Sequence, residues 1–186
     1  MKLSLTIGAL ACLTMIAGCA QPPFPAKTME NVAPVFDFRA WKEASPTNNT
    51  GKSDEGTKVQ LGGRIIQADP KAKGVLIIAE QMPIVNHPVY GPADPGKRVG
   101  EFQFALLFPG QLDPSALRDG NRFIVVGTTK GRKSVVVEGA PKTEPYLVAE
   151  CIHIWQTGRS EIAAFKESAG AGASTLPEQT YCAQGN

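Results

Sequence analysis

The chain has little of what enzymes and metal sites are built from. Its 186 residues include two histidines, two tryptophans and four cysteines, and no G-x-S-x-G elbow, P-loop, G-x-G-x-x-G run or H-E-x-x-H helix occurs. The expectation is a protein that is not an enzyme and carries no cofactor or metal. Net charge is also scarce: 19 Lys and Arg stand against 17 Asp and Glu. That balance offers no charge-driven hold on nucleic acid or anionic lipid headgroups. The longest apolar run, Leu3 to Ala17, has about 15 residues where roughly 20 are needed to span a bilayer as a helix. A membrane-spanning helix is therefore not expected, and a removable leader is.

The end of that run carries a specific signal. Met15-Ile16-Ala17-Gly18-Cys19-Ala20 reads as a lipobox. A branched apolar Ile16 stands three before the cysteine, and Ala17 and Gly18 are small enough for a narrow signal-peptidase site. Cleavage is expected between Gly18 and Cys19, with a diacylglycerol on the Cys19 thiol. Loss of Lys2 with the leader leaves 18 basic against 17 acidic residues. Cys12 departs with the leader and Cys19 is spent on lipid, so Cys151 and Cys182 remain. In an oxidising compartment these two are expected to pair. The alternative is that Cys151 is a small buried apolar residue and Cys182 a free thiol on the tail.

The chain then divides into four parts: leader 1–18, lipidated tether and N-terminal segment 19–57, a β-barrel domain 58–156, and a short helix with a flexible tail 157–186. Gln21 to Lys27 holds three prolines and reads as an extended spacer. Phe38 and Trp41 share a helical face, whereas Phe36 and Phe38 would share a strand face; a short helix plugging one end of the core is expected. Ser45 to Gly56 is turn-rich and reads as a loop. From Lys58 onward, short β-type runs separated by Gly and Pro suit an all-β body. Val59, Leu61, Gly63 and Ile65 alternate with polar neighbours, and Gly62-Gly63 suggests a bulge or tight bend. Asp69–Gly74 reads as a turn before the strand Val75–Gln81. Met82–Gly100 is a proline-rich loop, where His87, Tyr90, Lys97 and Arg98 are candidates for a contact surface.

Glu101–Phe108 alternates again. Leu112–Gly120 reads as a helical turn capped by Asp113 with Pro114 behind it. Arg122–Thr129 and Ser134–Glu138 are expected to form a hairpin around a solvated basic tip, Lys130–Lys133. In the closing strand Tyr146–Trp155, Cys151, His153 and Trp155 lie on one face and Ile152 and Ile154 on the other. His153 reads as a half-exposed wall residue, and Cys151 beside it lacks the third group a nucleophile needs. In the tail, Ser160–Glu167 is expected to be helical, and Ser168–Ser174 a flexible linker.

Taken in order, the lipobox, Val59-x-Leu-Gly-Gly-x-Ile65, Leu112-Asp-Pro114, Val125-Val-Gly-Thr-x-x-Gly131, Tyr146-x-Val148 and Ile152-His-Ile-Trp155 resemble the Slp family of starvation-inducible outer-membrane lipoproteins. The resemblance runs from the lipobox to about Trp155 and leaves out the tail. It implies attachment to the outer membrane of a Gram-negative bacterium, a small β-barrel body, no enzymatic activity and no defined ligand.

The fold expected is mainly β, a small five- to six-stranded OB-like antiparallel barrel with short peripheral helices. Two readings of function are open. In the first, the body is a structural or adaptor component of the envelope, held to the membrane through Cys19 and meeting another envelope protein or peptidoglycan. In the second, it is an OB-like ligand-binding lipoprotein that recognises a saccharide or small envelope ligand on an exposed sheet face. Exposure of Phe102, Phe104, Tyr146 and Trp155 discriminates the two.

Overall fold

The computed structural model describes residues 23–44, 55–84, 91–93, 102–160, 162 and 176–183. Two short helices, α1 (Ala26–Met29) and α2 (Phe38–Glu43), precede six strands: β1 (Lys58–Lys71), β2 (Gly74–Met82), β3 (Gln103–Phe108), β4 (Arg122–Val137), β5 (Ala140–Trp155) and β6 (Glu178–Cys182). They form one sheet in the order β3-β2-β1-β4-β5-β6. Neighbours in that order pair antiparallel, and β3 also pairs with β5 in parallel from Ala105–Tyr146 to Leu107–Val148. That extra ladder makes the bonding of β1 to β5 ring-like, so these strands use both of their edges, and β6 adds outside.

The alternation read from the sequence becomes an inside and an outside. Val59, Leu61, Ile65, Ile77, Phe104, Leu106, Phe123, Val125, Leu147 and Ile152 pack into one buried cluster. Helix α2 plugs it, as expected, because Phe38 and Trp41 fall on one side of the helix and are both buried. Their rings are 5.6 Å apart edge to face, and Phe38 is 5.7 Å from Phe104. Asp37 caps the helix by accepting from the Ala40 N–H at 3.0 Å.

Several expectations are corrected. Gly62 and Gly63 lie in regular ladders to β2 and β4, and the irregularity falls at Ile66 instead. The glycines are needed for close approach: a Cβ on Gly62 would come within 2.7 Å of the Met82 carbonyl oxygen, and one on Gly63 within 2.7 Å of the Phe123 ring. The turn expected over Asp69–Gly74 shrinks to Ala72-Lys73, since β1 continues through Pro70 to Lys71. Lys130–Lys133 is not a hairpin tip. It lies within β4 at a register shift between Thr129 and Arg132, and the chain reverses at Glu138-Gly139, both at positive φ (52° and 80°), as a type I′ turn requires. Arg132 is employed rather than solvated: Nη1 donates to the Lys42 carbonyl at 2.7 Å and Nη2 to the Thr143 carbonyl at 2.8 Å, which fastens the end of α2.

Strand β5 begins six residues earlier than expected, at Ala140, and its long hairpin with β4 folds Val135 and Val137 over Leu76, Ile78 and Ala105 on the outside of β2 and β3. The Leu112–Gly120 segment forms turns rather than an assigned helix. Asp113 accepts from the Ser115 N–H and hydroxyl at 2.7 Å each, and those bonds hold its carboxyl below the usual range. The end of the chain, expected as flexible tail, supplies strand β6. Most of the Ser160–Glu167 helix, the Ser168–Ser174 linker and the Ser45–Asp54 loop lie outside the described residues.

Candidate functional site

The outer side of β4 and β5 is as apolar as the inner one, and the two ends of the chain cover it. Ile124 and Val126 from β4 and Cys151 and Trp155 from β5 are buried there together with Phe24, which is 3% exposed, and Ile162. Met29, Val32, Ile84 and Leu176 pack around them. Burying a phenylalanine stabilises by about 1.5–3 kcal/mol. So the segment expected to be a free spacer is docked by its aromatic residue and enters helix α1 at Ala26.

Strand β6 seals the same face. It pairs with β5 from Cys151–Cys182 to Trp155–Glu178, and Cys151 and Cys182 are joined as a disulfide. Backbone bonds from Ala183 N–H to the Glu150 carbonyl at 2.7 Å and from Gln156 N–H to the Pro177 carbonyl at 2.9 Å close its two ends. Thr180 then links three parts of the chain. Its hydroxyl donates to the Pro23 carbonyl at 2.9 Å and lies 2.7 Å from His153 Nδ1. One hydroxyl proton serves one acceptor, so Nδ1 is the donor in its bond to Thr180. The His153 ring packs on Trp155 at 4.3 Å, with Nε2 3.8 Å from the Glu178 carboxylate. The Thr28 hydroxyl sits 3.4 Å from Cys151 Sγ, which brings α1 onto the bridge.

A second feature is a polar cleft of about 340 Å³ outside β1 and β2, lined by Arg64, Gln67, Glu80, Gln103, Asp119, Glu138 and Arg159 among others. Arg64 pairs with Glu80, and Arg159 with Asp119 at 2.7 Å. With its cations already matched, the cleft suits a neutral hydrogen-bonding ligand better than a charged polymer.

The residues singled out from the sequence are placed unevenly. Gly18 and Cys19 lie outside the described residues, as do His87, Tyr90, Lys97 and Arg98. Phe104 and Trp155 are buried, and Phe102 and Tyr146 are half-buried and packed against apolar clusters. These four rings therefore form no exposed stacking platform. His153 is buried rather than half-exposed, and Cys151 has its sulfur in a disulfide. Among the described residues no group of three His, Cys, Asp or Glu side chains could hold a metal, and no helix is long and apolar enough to cross a membrane. Sequence reasoning missed Phe24, Thr28 and Thr180. A lone phenylalanine inside a proline-rich spacer was the one local signal, since a solvated tether has no use for it.

The fold defines a class of β body that fastens segments near both ends of its chain, Pro23–Met29 and β6, to one of its own faces. The chain belongs to the outer membrane lipoprotein Slp family, whose model matches residues 16–181. The match begins inside Ile16-Ala-Gly-Cys19 and ends within β6, so the family pattern takes in the tail that the resemblance had left out. No curated protein and no solved structure matches the chain.

Proposed function

We propose that the chain is acylated at Cys19, anchored in the outer membrane of a Gram-negative bacterium, and acts without catalysis as a structural or adaptor component of the envelope. In this reading Gly18–Cys19 is the cleavage site, and the ring of β1 to β5 is a small OB-type barrel. Its partner is another envelope protein or peptidoglycan rather than nucleic acid, for which the near-neutral charge gives no attraction. The observation that carries the reading is the family match starting inside the lipobox. Each buried methylene of an acyl chain contributes about 0.8 kcal/mol, so several chains hold firmly, whereas the body offers little other affinity for a bilayer. Cys19→Ser is expected to move the protein from the outer-membrane pellet to the soluble fraction. Wild-type levels in the pellet would refute acylation at Cys19. Ala20 in place of an inner-membrane-retaining aspartate supports outer-membrane sorting, and recovery of the wild type in the inner membrane would refute that part.

A second reading, a saccharide-binding lipoprotein, draws on the polar cleft alone, because the aromatic residues expected to stack a sugar are covered. Titration with peptidoglycan fragments followed by amide NMR tests it: shifts at Gln67, Gln103 and Gly120 would support the cleft, and none would remove it.

A further inference from the structure

The distance from Cys19 to the first docked residue sets how the body can stand on a membrane. Pro23 is tied to Thr180 by its carbonyl and Phe24 is buried between β4 and β5. Four peptide units separate Cys19 from Pro23, and at about 3.3–3.6 Å per residue they reach roughly 14 Å at full extension. The mature chain has a radius of gyration of about 15 Å on the scaling for folded domains, hence a diameter of roughly 40 Å. Were the chain free as far as Lys27, as the proline-rich spacer read from the sequence would be, it would reach roughly 25 Å at about 3.1 Å per residue and the body would turn more freely. Docking at Pro23 removes that freedom.

We infer that the membrane is the partner of one particular face: the edge formed by Pro23, Pro25, Lys27 and strand β6, which is held against the headgroup layer. This rests on the proposed acylation of Cys19. Pro25, Lys27, Glu178 and Gln179 are exposed on that edge, and the free long side of β6 runs along it. Across the ring lies β2, whose outer side carries the end of the β4–β5 hairpin with Glu138 at its turn and Val136 57% exposed. A tether of roughly 14 Å cannot bring that side down to a bilayer when the body beneath it is about 40 Å across. The hairpin end therefore points away from the membrane and is the part of the body offered to the periplasm. The latch is built from chemistry available only after folding: Thr180 reaches Pro23 because β6 is paired, and β6 is tied by the Cys151–Cys182 bridge.

The test uses the full lipidated protein, oxidised, in phosphatidylethanolamine and phosphatidylglycerol vesicles whose headgroups carry nitroxides. A fluorophore is placed on a single introduced cysteine, Gln179→Cys or Glu138→Cys. The label at position 179 is expected to be quenched at least threefold more than the label at 138. Inserting twenty Gly/Ser residues between Ala20 and Gln21 leaves the folded part unchanged and is expected to erase the contrast; Phe24→Ala should reduce it. Equal quenching in the unextended protein, or stronger quenching at 138, would overturn the inference. A contrast that survives the insertion would overturn the tether as its cause. If neither labelled protein floats with the vesicles, acylation is what has failed, and the two outcomes are told apart by flotation alone.

Discussion

The two sides of strand β5 are both buried, but by different means. Inward, Leu147, Ala149, Ile152 and Ile154 meet the other strands of the ring. Outward, Cys151, His153 and Trp155 are covered by residues from the two ends of the chain, with Thr180 bonded to Pro23 across 157 positions. Between the two runs Glu150 is the extra residue of a register shift, which is why 147 and 149 face inward with 152 and 154 rather than with 151. The difference teaches that the inner side belongs to the ring itself, whereas the outer side depends on a closure that a disulfide and one threonine maintain.

Removing that closure should give the largest effect. Replacing Cys151 and Cys182 by serine is expected to lower stability by about 3–4 kcal/mol in the chain-entropy estimate for the 31-residue separation. Amide exchange should rise first at Gln179 and Tyr181 while Val125 stays protected. Equal loss of protection on both sides of β5 would erase the distinction drawn between them. Thiol titration of the unfolded, unreduced mature protein checks the bridge itself: none free is expected, and two free would exclude it.

The inner side is sharpened by Gly63→Val. Its new side chain would meet the Phe123 ring and, at 3.1 Å, the Glu80 carbonyl, an overpacking that costs about 1–3 kcal/mol. Lys73→Ala, in the two-residue turn, should stay within about 0.5 kcal/mol. Equal melting temperatures for the two would show that β1 can move away from β4 at no cost.

The smallest effect is a titration. Tyr146 lies on the outward side of β5, beneath the Lys133 ammonium at 4.9 Å, and burial raises its phenol above the ordinary value. The folded state favours the neutral ring, so this contribution is complete below the unfolded value near 10 and is lost as pH rises through the higher folded one. Phenolate absorbance should show Tyr146 ionising later in the folded protein than in urea, and coincident curves would place the ring in water.

Much of the ring was legible. Strict alternation in Val59–Ile65 and Phe102–Phe108 predicts inward faces, and those residues are buried except for Phe102, which is half-buried. Phe38 and Trp41 predict the plug for the same reason of spacing. Lys130–Lys133 misleads because three basic residues around a glycine look like a turn, while the true reversal at Glu138-Gly139 is a two-residue turn with one ordinary-looking member. The polar cleft had no sequence signal, since its lining comes from separated segments whose charges look like solvated surface until Arg64 meets Glu80 and Arg159 meets Asp119.

By itself the sequence determined the mainly β class, the inward faces of β1 and β3 and the helix that plugs the core. All of these rest on neighbours within a few residues, where period and capping chemistry act directly. Only the tertiary structure decided that the supposed spacer is docked, that the tail is a strand, and that both ends lie on the same side. Those outcomes depend on an apolar outer face of β4 and β5 that exists only once the ring has closed, and on Phe24 and Cys182 reaching it from opposite ends of the chain.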